Sequence, residues 1–448
     1  MTKLNDLVKA VAPILEATVG DLTVAYQGVS TDTRTVVPGN VFVALSGERF
    51  DGHQFVAAAV DKGAVCAVVE HPVDVDVTQI VVSDTGLAYG LIAKAWRHRF
   101  ALPLAVVAGS NGKTTTTQML AKILTARWDD ARVCATRGNF NNEVGVPRML
   151  LSLNFEHRAA VFECGMNHPG EMARLADWTR PTVVLLTNAQ REHQEFLKGV
   201  EETARENGLV IASLPETGCA VYPTDDACAQ IWADLAMARG VNTLTYATEA
   251  GVDADVVGRM EGDLLVLKTP EGDIRLPLAI TGCHNIHNAT GAAAAALAMK
   301  ITPQAIVDGL SAFRALAGRG ERHKHAGGLL IDDAYNANPD SVRASMTQLS
   351  TEPGPRTYVL GDMGEVGDEV EAVHREVGAF AKSMGLDALY ASGPWSRFAV
   401  EAFGDNGHWF ETRDALIEAL KTVEGTITVK ASHYMGFEAV VAALKKEE

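Results

Sequence analysis

Cysteine is scarce and scattered. The six thiols, Cys66, Cys134, Cys164, Cys219, Cys228 and Cys283, form no C-x-x-C pair and no metal-finger spacing. That excludes a disulfide-stapled scaffold and a zinc ribbon, and reads as the reduced thiols of a cytoplasmic protein. Positive charge is also short: 39 Lys and Arg stand against 56 Asp and Glu, a formal net charge of −17. Non-specific binding to nucleic acid or to an anionic membrane surface needs basic patches, so neither partner is expected. A small anionic substrate is still compatible, because a local cluster of Lys, Arg and helix N-termini overrides the global field. No apolar run approaches the length of a membrane span. The opening "MTKLNDLVKAVAPILEA" is interrupted by Asn5, Asp6, Lys9 and Glu16, which predicts an amphipathic helix rather than a signal peptide. Low-complexity tracts, long charge runs and fixed-period repeats are missing too. A soluble monomer is expected.

What is present is ample apolar material, 47% of 448 residues, enough for two or three domains. Residues 1–84 hold short β-rich runs ("VFVAL", "AVCAVVE", "QIVVS") separated by turn signals such as Pro38-Gly39 and Asp51-Gly52. Residues 85–316 begin with a helical segment, "LAYGLIAKAWRHRF", and then alternate apolar strands with amphipathic helices. That alternation predicts a mostly parallel, doubly wound sheet. Past "LAGRGERHKHAGG" the alternation restarts with "LLIDDA", "TYVLGDM", "ALYASG" and "TITVKAS", so residues 317–448 form a second, smaller, Rossmann-like α/β unit. The fold class is α/β in three domains.

The most informative stretch is "AVVAGSNGKTTTTQML", residues 105–120. A strand, then Gly109-Ser110-Asn111-Gly112-Lys113-Thr114-Thr115, then a helix, is the context of a phosphate-binding loop. Glycines let backbone N–H groups converge on an anion, and the helix points its positive end at the same place. Lys113 would reach the β- and γ-phosphates and the Thr114 hydroxyl would ligate Mg²⁺. The usual pattern would need glycine at Val107, so the loop is tighter than that of the common GTPases and transport ATPases. Ligands of doubly wound sheets sit beyond the carboxyl ends of the strands. There "AAVFECGMN" places Glu163, an expensive position for a carboxylate without a partner, and "TVVLLTNAQREH" runs out to His193. Both are candidate ligands of a second Mg²⁺ near the γ-phosphate.

"GSNGKTT", "ECGMNHPGEM", "EHQEF" and "GCHNIHNATGAAAAA" together resemble the ATPase core of the Mur ligases, which add amino acids to the peptidoglycan precursor. "TDTR", "PGNVFVALSGERFDGH", "GNFNNEVGVP", "IDDAYNANPDS" and "VLGDMGEVGDE" extend the resemblance over nearly the whole chain. Within the family they are similar to the member that joins D-alanyl-D-alanine to a UDP-N-acetylmuramoyl-tripeptide. The resemblance implies ATP and Mg²⁺ as cofactors, an acyl phosphate on the tripeptide carboxylate, and attack by the dipeptide amine. Residues 1–84 would then bind the UDP-sugar-peptide, residues 85–316 ATP, and residues 317–448 complete the ligase.

Carried over by position, the resemblance puts Asn285 and Asn288 beside adenine and Arg319 on the ATP phosphates as a catalytic residue with Lys113, Glu163 and His193. It brings Asp333 and Tyr335 to the nucleoside, and gives Asp32, Arg34, Asp51, Gly52 and His53 to the UDP-sugar end. Asn141 and Asn142 would border the growing peptide. An ATP site that uses Arg319 is complete only when the domains close, so ligands should compact the protein. Two departures stand out. His433 replaces the arginine of the family's K-G-S-R pattern, and Asn207 falls where members carry a carbamylated lysine, fourteen residues after His193. An asparagine amide cannot capture CO₂, and it is expected to face the metal as a neutral ligand or beside one. Rival readings are a sister ligase such as folylpolyglutamate synthase, and a phosphate-loop ATPase that is not a ligase.

Overall fold

In the computed structural model, which describes residues 2–47, 50–192 and 194–446, three large sheets follow one another along the chain, and two two-stranded pairings accompany the first. The first has five strands in the order Leu15–Val19, Thr78–Val82, Cys66–Val69, Asn40–Val43 and Gly28–Ser30, with only the Leu15–Val19 edge antiparallel. The amphipathic helix expected through Glu16 stops at Ala10, and Leu15–Val19 is this edge strand instead. Pro13 lacks the N–H that a continuing helix would bond, and it sits in a 3₁₀ turn between the two.

The second sheet has nine strands. Its centre is Leu104–Ala108 between Ala159–Glu163 and Val183–Leu186, all parallel. Leu104, Val106 and Ala108 face one core, Ala105 and Val107 the other. Helices cover both faces, which is why these strands read as unbroken apolar runs rather than alternating ones. One covering helix, Cys283–Ala298, is buried nearly all round its alanines, so small side chains bring it close to the sheet. The strand–helix alternation does not extend to the far edge. Val256–Glu261, Leu264–Lys268 and Ile274–Pro277 run as two antiparallel hairpins.

The third sheet has six strands, parallel except for the first pair, Glu321–His325 with Gly328–Asp332. "ERHKH" has no apolar alternation, so this edge strand is invisible to hydrophobic periodicity. The third unit is docked on the second by ion pairs. Arg191, just past the Val183–Leu186 strand, meets Asp340 at 2.7 Å and Glu376 at 2.7 Å. Glu376 also takes Arg343 at 3.1 Å. These hydrogen bonds, to Glu376 and then Asp340, hold the Arg191 guanidinium above its ordinary basicity. Partly exposed pairs of this kind contribute roughly 0.5 kcal/mol each, so they bias the docking without locking it.

Candidate functional site

The seam between the second and third units opens as a cavity of about 1580 Å³ beyond the carboxyl ends of the central strands. Its floor is the phosphate loop. Gly109 has φ +124°, and a Cβ there would lie 2.3 Å from Thr187 Oγ1. Gly112 has φ +80°, with Asn288 Oδ1 2.3 Å from its would-be Cβ. Both positions therefore demand glycine for conformation and for room.

The loop is bonded on every side. Ser110 N–H donates to the Asn188 carbonyl at 3.0 Å, and Asn111 N–H to Asn188 Oδ1 at 2.9 Å. Asn111 and Asn338 of the third unit exchange amide hydrogen bonds of 2.8 and 3.3 Å. Those bonds consume the first N–H groups of the loop. The N–H groups opening the Lys113–Trp128 helix have no acceptor among the described residues, and Gly112 at its N-cap offers no side chain to cap them. Four orphan donors at the positive end of a helix form an anion site.

Lys113 Nζ lies across this loop, donating to the carbonyls of Gly109 (2.6 Å) and Ser110 (2.8 Å) and to Glu192 Oε1 (2.5 Å). Glu192, 9% exposed, escaped the sequence reading although it adjoins His193 in "REH". Nothing in that tripeptide signals that its carboxylate reaches a lysine 79 positions earlier. Glu163 is 2% exposed. Its Oε1 accepts from Asn141 Nδ2 at 2.7 Å, whereas buried Oε2 has no hydrogen-bond partner among the described residues. A half-satisfied buried carboxylate at the cavity wall suits a cation. His193 lies outside the described residues.

Across the seam, the Arg319 guanidinium stacks 4.0 Å from the Tyr335 ring, and Tyr335 stacks on His433 at 5.3 Å. Asp333 takes buried Lys430 at 2.8 Å. His284 beside them is held below the usual imidazole range by burial, which outweighs the pull of Asp333. Asn285 donates to the Thr281 carbonyl at 2.8 Å, and its Oδ1 accepts from Asn288 Nδ2 at 3.4 Å across the first two turns of Cys283–Ala298.

One cavity thus gathers Ser110 to Thr115, Asn141, Asn142, Glu163, Asn285, Asn288, Arg319, Asp333 and Tyr335. Gly109 lies behind its wall. The side chain of Asn142 is spent on the N–H groups of Val144 and Gly145, opening the Gly145–Leu151 helix. Asp32, Arg34, Asp51, Gly52 and His53 do not line the cavity. They make two local constructions in the first unit. Arg34 Nη2 donates to Asp32 at 2.7 Å, and that hydrogen bond draws the Asp32 carboxyl down to about 2. His53 Nε2 accepts from Glu70 N–H at 2.8 Å, so Nδ1 carries the proton and donates to Asp51 at 2.7 Å.

Asn207 departs from expectation. It is 1% exposed and not on the cavity wall, and its Oδ1 accepts the Gly109 N–H at 3.1 Å. The carbonyl expected to face a metal is committed to bracing the phosphate loop, and Nδ2 has no partner among the described residues. Bicarbonate is therefore expected to leave the rate unchanged, and intact mass to show no carbamate. Asn207→Ala would strip the Gly109 N–H of its acceptor, a loss of roughly 1–3 kcal/mol, and should weaken nucleotide binding. A bicarbonate-stimulated enzyme would contradict this.

Three stretches match Mur ligase descriptions: residues 25–97 the catalytic domain of the family, 107–296 the middle domain, and 318–433 the glutamate ligase domain. The chain is 36% identical over 441 residues to the UDP-N-acetylmuramoyl-tripeptide–D-alanyl-D-alanine ligase of Escherichia coli (strain K12), covering 97% of each. It is 36% identical to the ligase of the same name from Synechocystis sp., covering 95% of this chain and 93% of that one. Among solved structures it is similar to the crystal structure of MurF from Acinetobacter baumannii, with a TM-score of 0.90, 32% identity and 98% of both chains covered.

Proposed function

Because this chain belongs to the Mur ligase family, we propose that it joins D-alanyl-D-alanine to a UDP-N-acetylmuramoyl-tripeptide, driven by ATP, in peptidoglycan precursor synthesis. The observation that carries the reading is the shared cavity. Residues of the second unit (Lys113, Glu163, Asn141) and of the third (Arg319, Lys430, Asn338) line one space, as a three-substrate reaction requires. We take the three units as residues 1–84, 85–316 and 317–448 and the working protein as a cytoplasmic monomer. Among the described residues no helix is long and apolar enough to cross a membrane.

A carboxylate is a poor electrophile, so its oxygen first attacks the γ-phosphorus of ATP and ADP departs. The amine of D-alanyl-D-alanine then attacks the acyl carbon. The tetrahedral adduct expels inorganic phosphate and the amine gives up its proton, leaving an amide. The uncapped N–H groups at Gly112 to Thr115 hold phosphate oxygens, and Lys113 supplies positive charge where the transferring phosphoryl spreads its own. Arg319 adds a second cation from across the seam. Asn285 and Asn288 border the nucleoside with Asp333 and Tyr335. Asn141 holds Glu163 in place and, with Asn142, edges the peptide. Asp32, Arg34 and the Asp51-Gly52-His53 turn serve the UDP-sugar end. Thr114 and Glu163 would hold Mg²⁺, with His193 as the third ligand, and the unpartnered Glu163 Oε2 fits that role. When bound, the metal neutralises charge on the phosphates.

Phosphate release checks the reading. With ATP and Mg²⁺ it should be slow until both the UDP-linked tripeptide and D-alanyl-D-alanine are added. Full turnover without either acceptor would instead favour an ATPase that is not a ligase. Turnover with glutamate in place of the dipeptide would favour a sister ligase.

A further inference from the structure

At the opposite end of the central sheet, where Leu104–Ala108, Val183–Leu186 and Cys219–Pro223 begin, lies a second hollow of about 280 Å³. A five-residue strand separates it from the phosphate loop, roughly 17 Å at the usual rise. Its lining includes Arg97, His98, Arg180 and Arg239, with Thr182 and Ser213, and contains no carboxylate. Among the described residues none of the three arginines has a carboxylate partner, in a chain of net charge −17. Arg34, Arg174, Arg259 and Arg322 each hold one elsewhere.

Arg97 is 5% exposed and gives its N–H groups only to carbonyls, of Phe100 at 2.7 Å, Thr179 at 3.0 Å, Arg180 at 3.3 Å and Leu102 at 3.4 Å. Four of its five N–H donors are satisfied, but its charge is not neutralised. Burial first, and Arg180 second, bring its basicity down to about 10. Arg180 Nη1 donates to His98 Nε2 at 2.9 Å, which a neutral imidazole accepts. Burial, then Arg180, Lys94 and Arg97, hold His98 below its usual range. Asp177, the acid that opposes that shift, is taken by Lys94 at 2.6 Å. Arg239 donates Nε to the Ala212 carbonyl at 3.1 Å. Its two Nη groups and those of Arg180 that His98 does not use make guanidinium forks, whose geometry suits phosphate oxygens better than an ammonium does.

We propose that this hollow is a binding site for a small phosphate-bearing anion, separate from the nucleotide cavity. The space admits a phosphoryl group with at most a small organic remainder. The shared chemistry is the phosphate dianion, free or as a monoester.

The test uses the full chain carrying Lys113→Ala, which weakens phosphate binding in the nucleotide cavity. Calorimetric titrations with inorganic phosphate and with glycerol 3-phosphate, at constant ionic strength balanced by chloride, should show saturable binding of at least one. Tighter binding of free phosphate marks an ion site, and tighter binding of the ester marks a monoester site. Arg180→Gln combined with Arg239→Gln should weaken binding by about tenfold or more, since two charge-assisted forks are lost. Both side chains are exposed, so the melting midpoint without phosphate should hold, as should ligation when Lys113 is present. Arg239→Glu, which places a carboxylate at the rim, should abolish binding. Unchanged affinity in these variants, or no saturable binding of either probe, would overturn the proposal.

Discussion

Lys113→Ala is expected to reduce ligation by about 10²-fold or more, equivalent to about 2.7 kcal/mol of transition-state stabilisation. Among the described residues the ammonium hydrogen-bonds only the Gly109 and Ser110 carbonyls and Glu192, in and just behind the cavity floor. It packs against no core cluster, so circular dichroism and the melting midpoint should be close to wild type. On the proposed mechanism phosphate would compete for the same ammonium, and the lysine would trade these acceptors for phosphate oxygens in the Michaelis complex. A variant that retains most of its activity would remove the lysine from the reaction. One that unfolds would make it a structural strut.

Glu163→Gln is the second large effect. The amide keeps the shape and can still accept from Asn141 Nδ2, but it removes the charge from the unpartnered side. Loss of a metal ligand or its close support costs roughly 10- to 100-fold in metal affinity or activity. The Mg²⁺ concentration needed for tight nucleotide binding should rise by that order, and ligation should fall with it. Stability should move the other way. A buried carboxylate with one unpartnered oxygen is costly, so the ligand-free melting midpoint should hold or rise, a case of function maintained against stability. An unchanged Mg²⁺ dependence would show that Glu163 serves only the fold.

These residues were unequally legible. The phosphate loop is local: a strand, two glycines and a helix contiguous in sequence dictate the orphan N–H groups and the lysine among them. Glu163 was legible because a carboxylate ending an apolar run is conspicuous. Glu192, Asn338 and Arg191 act through partners 79, 227 and 149 positions away, and no short-range pattern encodes such pairings. Asn207 shows the limit of counting positions. The count predicted which residue stands there, but its burial and its bond to Gly109 depend on how the Val200–Gly208 helix packs under the loop. In the same way the Leu15–Val19 edge strand began inside an expected helix, and "ERHKH" pairs as a strand by virtue of its neighbour alone.

The central claim is that the tripeptide carboxylate becomes an acyl phosphate before the amide forms. It is tested by labelling that carboxylate with heavy oxygen and analysing the inorganic phosphate released during ligation. Transfer through the acyl phosphate leaves one carboxylate oxygen on phosphorus, so the phosphate should carry a single labelled oxygen per turnover. Phosphate free of label, with amide formed at the normal rate, would contradict the account.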